Sequence, residues 1–173
     1  MASRLLRSIL IGTTVLCLCG PALALDADEE PDPVILGIVL AEAPMSLQKG
    51  LAASEPHGKP ISAKFENADG DVRLSAYNAT ADGFVETALN PKTGAVLSTE
   101  PITDADDLTH ANAQKAAMAK ATISLQAATE KAIKENPSSQ AVSVIPELRD
   151  GQAVATVKLL RQKDYTTVTE RLN

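Results

Sequence analysis

The feature that most constrains this chain is that it says nearly the same thing twice. Ala41-Glu42-Ala43-Pro44-Met45-Ser46-Leu47-Gln48 recurs as Ala119-Lys120-Ala121-Thr122-Ile123-Ser124-Leu125-Gln126. Ile61-Ser62 through Asp69-Gly70 recurs as Val142-Ser143 through Asp150-Gly151. A period of this length implies a supersecondary unit used twice and restricts the fold before any single motif is considered. The offset is about 78 residues at Ser46 and Ser124 and about 81 at Gly70 and Gly151. The second helix or its exit loop therefore holds the extra residues.

The patterning inside each copy predicts a helix followed by strands. Ser46 is a candidate N-cap, and Leu47, Leu51 and Ala52 share one helical face. His57-Gly58-Lys59-Pro60 ends that helix. Ile61, Ala63 and Phe65 then alternate with Ser62, Lys64 and Glu66, and Val72, Leu74 and Ala76 with Arg73, Ser75 and Tyr77. A strand over Phe84–Leu89 follows the Ala81-Asp82-Gly83 turn, and a short fourth strand over Ala95–Ser98 follows Asn90-Pro91-Lys92-Thr93-Gly94. Alternation broken by Asp-Gly turns is the antiparallel meander pattern, one face buried and one wet.

In the second copy, Leu125, Ala128, Ala132 and Ile133 share a helix face, and Asn136-Pro137 ends it. Val142 and Val144 answer Ile61 and Ala63, while Ala153, Ala155 and Val157 answer Val72, Leu74 and Ala76. Phe84 answers Tyr165 at the glycine spacing, whereas Leu89-Asn90 answers Leu172-Asn173 two residues later. That two-residue slip would keep the buried face buried. The second copy has no counterpart of the Pro-Lys-Thr-Gly turn and fourth strand. Its last strand, Tyr165–Leu172, is thus a candidate open edge.

Residues 1–24 read as a secretion signal. Arg4 and Arg7 precede the apolar run Ser8–Cys19, Gly20-Pro21 breaks it, and Ala22-Leu23-Ala24 suits cleavage after Ala24. The run is too short to span a bilayer. Both cysteines, Cys17 and Cys19, fall inside it, and the leucines before them disfavour lipid attachment. The mature chain, roughly 150 residues, then holds no thiol or disulfide. This predicts a periplasmic or secreted protein with no membrane span after cleavage.

Residues 25–32 form an acidic leader. Asp32-Pro33 is a good helix start. The run Val34–Leu40 fits a short helix buried on the first module, although Val, Ile and Gly37 would also suit a strand. The expected division is module one over 33–100, an acidic linker over 101–107 and module two over 108–173. Thr103 or Asp104 can cap a helix that runs on through the Ala-rich Leu108–Lys120.

The net charge of −6 falls to about −8 without Arg4 and Arg7. That argues against nucleic acid and anionic membranes, which require basic patches. Trp is absent, and the aromatics are Phe65, Phe84, Tyr77 and Tyr165. Such a chain must build its core from aliphatic side chains, and it lacks the rings of a carbohydrate or single-strand stacking platform.

His57 and His110 stand without a second His or Cys at ligand spacing. Asp104, Asp106 and Asp107 lack the Gly and terminal Glu of a calcium loop, so helix capping is the simpler reading. No phosphate loop and no ordered Ser/His/Asp set is present. No catalytic, cofactor-binding or metal-binding residue is assigned, and no cofactor is expected. Gly70, Gly94 and Gly151 read as turn glycines.

The helix after Ser46, the Asp69-Gly70 turn, the strand Val72–Tyr77 and above all Leu89-Asn90-Pro91-Lys92-Thr93-Gly94-Ala95-Val96 resemble the PepSY domain family. The second copy resembles it through Asp150-Gly151 and Val154–Leu160, without the Thr-Gly. The resemblance implies an extracytoplasmic α+β protein of two repeated modules, each a helix packed on a small antiparallel sheet of three to four strands. It implies a protein partner, a secreted protease or another envelope protein, and a non-enzymatic inhibitor or modulator role. The alternative is a periplasmic sensing module that binds a small ligand or metal and reports to a membrane partner.

Overall fold

The computed structural model describes residues 30–68 and 70–173. The expected secretion signal and cleavage point, both cysteines and the first part of the acidic leader lie outside the described residues. The elements run α1 (Pro33–Glu42), α2 (Leu47–Ser54), β1 (Lys59–Ala68), β2 (Asp71–Ala79), β3 (Phe84–Leu89), β4 (Val96–Pro101), α3 (Ala105–Met118), α4 (Leu125–Glu135), β5 (Gln140–Arg149), β6 (Gln152–Arg161) and β7 (Asp164–Arg171). A 3-10 turn over Glu55–His57 joins α2 to β1.

The strands form one antiparallel sheet in the order β4-β3-β2-β1-β5-β6-β7. The fold is α+β as expected, but the strands share a single sheet where two small ones were anticipated. The join is β1 against β5, with Ala63 opposite Val144 and Lys64 opposite Ser143. Periodicity reveals which face of a strand is apolar. It does not reveal which strand will lie next to it.

The caps follow from local chemistry. Ser46 Oγ accepts from Lys49 N at 3.3 Å, and Ser124 Oγ from Ala127 N at 3.1 Å. Asp104 Oδ1 accepts from Asp106 N at 2.9 Å and Asp107 N at 3.3 Å, so capping accounts for that aspartate. α2 has 8 residues and α4 has 11, which is where the second copy holds its extra residues. Gly70, Gly94 and Gly151 have φ of 88°, 75° and 77°, the turn conformation expected of them.

α2 and α4 touch each other and cover one face of the sheet. Beneath them lie Ala63, Phe65, Leu74, Ala76, Val144, Ala155 and Val157, all buried. The close packing leaves no room at Gly50, where an added Cβ would sit 2.1 Å from Leu74 Cδ2. Asn78 pins the α2–β1 turn: its Nδ2 donates to Ser54 O at 3.2 Å, Ser54 Oγ at 3.0 Å and Gly58 O at 3.0 Å.

α3 and α1 lie on the opposite face. Gln114 of α3 accepts from Ser62 Oγ at 2.7 Å, and Lys115 Nζ stands 5.4 Å from the Phe84 ring centre. The expectation for α1 needs correcting, because it packs on the second half of the chain. Tyr165 donates to Pro31 O at 2.9 Å, Lys158 pairs with Glu30 at 2.8 Å, and Gly37 faces Gln162 and Leu160. α1 is apolar nearly all round, so its sequence carries no stripe that would have chosen a half. It buries Leu36 and Leu40 and leaves Val34, Ile35 and Ile38 exposed.

The register also removes the two-residue slip. Leu74 stands opposite Leu89 in β2–β3, and Ala155 opposite Glu170 in β6–β7. The 81-residue offset therefore continues to the end of β7. Leu172 lies beyond the strand, fully buried, with its N–H on Ala153 O at 3.0 Å.

The two helical glycines should respond oppositely to alanine. Gly50→Ala overpacks Leu74 and should cost about 1–3 kcal/mol. Gly37→Ala, where the nearest atom would be 3.4 Å away, should be neutral or stabilise by up to about 1 kcal/mol. Chemical denaturation of the two variants checks both.

Candidate functional site

The face opposite α2 and α4 carries two carboxylate clusters. Glu66 is 1% exposed. Its Oε1 accepts from Arg73 Nε and Ser75 Oγ, each at 2.5 Å, and its Oε2 meets Lys64 Nζ at 2.8 Å. Ser75 Oγ also lies 2.7 Å from Glu86 Oε1, and Arg73 Nη2 lies 3.2 Å from the same oxygen. A hydroxyl has one proton, so Ser75 serves one carboxylate at a time.

The second cluster repeats the first 81 residues on. Glu147 Oε1 accepts from Thr156 Oγ1 at 2.6 Å and Arg149 Nη2 at 2.5 Å. Glu147 and Thr156 answer Glu66 and Ser75, whereas the arginine comes from a different position. Sequence alternation placed Ser62 and Glu66 on the wet face of β1, yet both are buried. Ser62 is covered by α3, and Glu66 by the cations and hydroxyl around it. Alternation reports the face of a side chain but not what a distant helix lays over it.

These contacts set the charge state. Burial pushes the Glu66 carboxyl up, but Lys64, Ser75 and Arg73 together bring it below the usual carboxylate value. Glu147 is likewise held low by Thr156 and Arg149 against the cost of burial. Both are ionised at neutral pH, with their donors already engaged, so their geometry is that of cross-strand ties. Tyr165, half-buried and near Glu30 and Asp32, is pushed up to about 12, first by burial and then by those two charges.

The sheet has two open edges. β4 is a guarded one: it ends in Glu100-Pro101, and its register shifts beside Leu89. β7 has neither device. Its middle, Thr166-Thr167-Val168-Thr169, is β-prone and largely exposed. The direction of its backbone groups follows from the ladder. Leu172 N–H points inward to Ala153, so residues of the opposite parity, Tyr165, Thr167, Thr169 and Arg171, direct their N–H and C=O outward. β3 shows the same parity in use, since Phe84 O accepts from Ile102 N at 3.0 Å as β4 leaves that edge. Phe84 and Tyr165 are the counterparts noted in the sequence.

The two histidines are not brought together. His57 sits in the 3-10 turn and His110 in the middle of α3. Among the described residues no group of three or more His, Cys, Asp or Glu is placed to hold a metal ion. A cavity of about 300 Å³ opens between α2, the start of β1 and the α3–α4 loop, with Leu51, Met118 and Leu125 as apolar lining and Lys59 and Glu55 at its polar side. Sequence reasoning missed it because its walls come from two stretches, 51–60 and 118–126, that are far apart in the chain. No single helix among the described residues is long and apolar enough to cross a membrane.

The Glu66 cluster should report through pH. Its folded carboxyl lies below the unfolded value, so its stabilisation is present above about pH 4.5 and is lost as pH falls through the folded pKa. Glu66→Gln should cost about 2 kcal/mol at pH 7. The gap between variant and parent should shrink on acidification below about pH 4.5, measured by urea unfolding across a pH series.

No family model, curated protein or solved structure matches this chain.

Proposed function

We propose that this chain is a non-enzymatic extracytoplasmic binding protein of two PepSY-like modules, one over 33–100 and one over 108–173. It modulates a secreted protease or another envelope protein by taking a strand of that partner onto β7. The two-module reading is supported by paired irregularities at a constant offset. β1 bulges between Pro60 and Ser62, and β5 between Ala141 and Ser143, 81 residues later. The crossing of β1 and β5 sets Ala63 against Val144, its own counterpart, which is the relation of two units about a local twofold axis.

The leading helices support it too. α3, which precedes the second module, reaches Phe84 of the first. α1, which precedes the first, packs beside Tyr165 of the second. α3 packs mainly on β5 of its own module and extends over β1 of the first, whereas α1 lies against the second.

The observation that carries the functional reading is the open row on β7. The first module fills the corresponding row of β3 with β4. Among the described residues no strand lies on the corresponding row of β7, and its outward N–H and C=O groups are those of an edge that accepts an extended segment. The alternative, a sensing module for a small ligand, draws on the cavity beside Leu51 and Leu125.

The test is capture from periplasmic extract on the chain from Leu25 to Asn173, with and without Thr167→Pro. The proline removes an outward donor and leaves the inward ladder to β6 in place. The variant should keep its fold, with melting lowered by no more than a few degrees (about 1 kcal/mol), and should lose a protease or envelope ectodomain that the parent retains. Retention of the same proteins by a folded variant overturns strand addition.

A further inference from the structure

Charge is spread unevenly over this acidic chain, and three exposed cations gather at the ends of β7. Arg161 and Lys163 flank the start of the strand, and Arg171 closes it, all exposed. Arg149 of β5 reaches across β6, with Nη1 3.2 Å from Thr169 Oγ1. On the helix side Lys131 of α4 pairs with Glu170. The acids close by are largely engaged. Glu147 is held by Arg149, Glu170 by Lys131 and Glu30 by Lys158. Asp164 and the α1 cap Asp32 stand at the Tyr165 end, so the unopposed cation on the strand is Arg171 at the other end. Among the described residues Arg161, Lys163 and Arg171 form no ion pair within the chain. The opposite edge differs, since β4 has no Lys or Arg and carries Glu100.

From this we infer that the segment taken by β7 is an acidic strand, paired antiparallel as β4 is on β3. The inference rests on the reading of β7 as the binding edge and adds the chemistry of what binds there. A strand added to β7 bonds to the outward groups of Tyr165, Thr167, Thr169 and Arg171. Those four side chains share the face on which Arg149 lies. Carboxylates at alternate positions of the incoming strand then stand as cross-strand neighbours of Arg171 and of the Thr169–Arg149 contact. The other alternate positions face Val168 beside α4 and suit an aliphatic side chain. A second copy is a poor occupant, because pairing β7 with itself sets basic strand ends together. An acidic strand is also turned away from β4 by Glu100, so charge selects the edge as well as the partner.

Two labelled peptides test this with the full chain. Thr-Glu-Val-Glu-Val-Glu-Val-Thr carries the acidic alternation, and Thr-Lys-Val-Lys-Val-Lys-Val-Thr is its basic twin. Fluorescence anisotropy at low salt should give the acidic peptide about tenfold or greater preference, shrinking toward 0.5 M salt (roughly a 4 Å screening length). Amide NMR shifts should centre on Tyr165, Thr167, Thr169 and Arg171. Arg171→Glu, an exposed change that leaves the fold intact, should lower acidic-peptide affinity about threefold to tenfold, and Thr167→Pro should abolish it. Equal binding of the two peptides, or shifts centred on β4, overturns the inference. Those outcomes leave strand addition standing if Thr167→Pro still loses the captured partner. If that variant keeps its partner, the reading beneath has failed instead.

Discussion

The antiparallel pairing of β1 with β5 is the contact on which the rest of the molecule depends. Each half alone would be a helix on three or four strands, with a core of small aliphatic side chains and a second edge open to solvent. Small units of that kind bury too little surface to be robust. Setting Ala63 against Val144 closes both inner edges at once and lets α2 and α4 pack side by side on a common face. It also brings α3 over Ser62 and α1 beside Leu160. One hydrogen-bonded seam therefore creates a wide sheet and a core shared between the two halves.

Glu66 and Glu147 solve a related difficulty. A sheet covered by helices on one face and partly on the other has polar residues at positions that become half dry. Glu66 is tied to three donors, and Glu147 to two. Unpaired, a carboxylate at that depth would be costly. Paired, each links adjacent strands and holds their register. The carboxylate–hydroxyl tie recurs 81 residues on, as Glu66 with Ser75 and Glu147 with Thr156, whereas the arginine does not. The cation is supplied by whichever nearby position can reach.

Much of the local structure was legible in the residues. Asp32 and Ser46 cap the helices they were expected to cap, Asp104 is the cap of the two candidates Thr103 and Asp104, and Ser124 caps α4 as Ser46 caps α2. The expected core residues Ile61, Ala63, Phe65, Leu74 and Ala76 are buried, the glycine turns have positive φ, and α4 is three residues longer than α2. Tyr165–Leu172, expected as a candidate edge, is largely β7, the outer strand of the sheet among the described residues. Less legible was anything set by contact between distant segments. The burial of Ser62 needs α3, and the position of α1 needs the β6–β7 turn. The unpaired basic residues around β7 come from two strands and a turn, so their excess disappears in a net charge taken over the whole chain.

By itself, then, the sequence determined the elements, their caps, their apolar faces and the fact of repetition, because all of these depend on neighbours within a few residues. Tertiary structure decided that the strands form one sheet, that α1 packs on the second half, that the register in β7 keeps its offset, and that Arg161, Lys163 and Arg171 gather at one edge. These depend on which strand edges find each other. A period-two pattern is identical for every possible neighbour, so only the closed β1–β5 seam could choose among them.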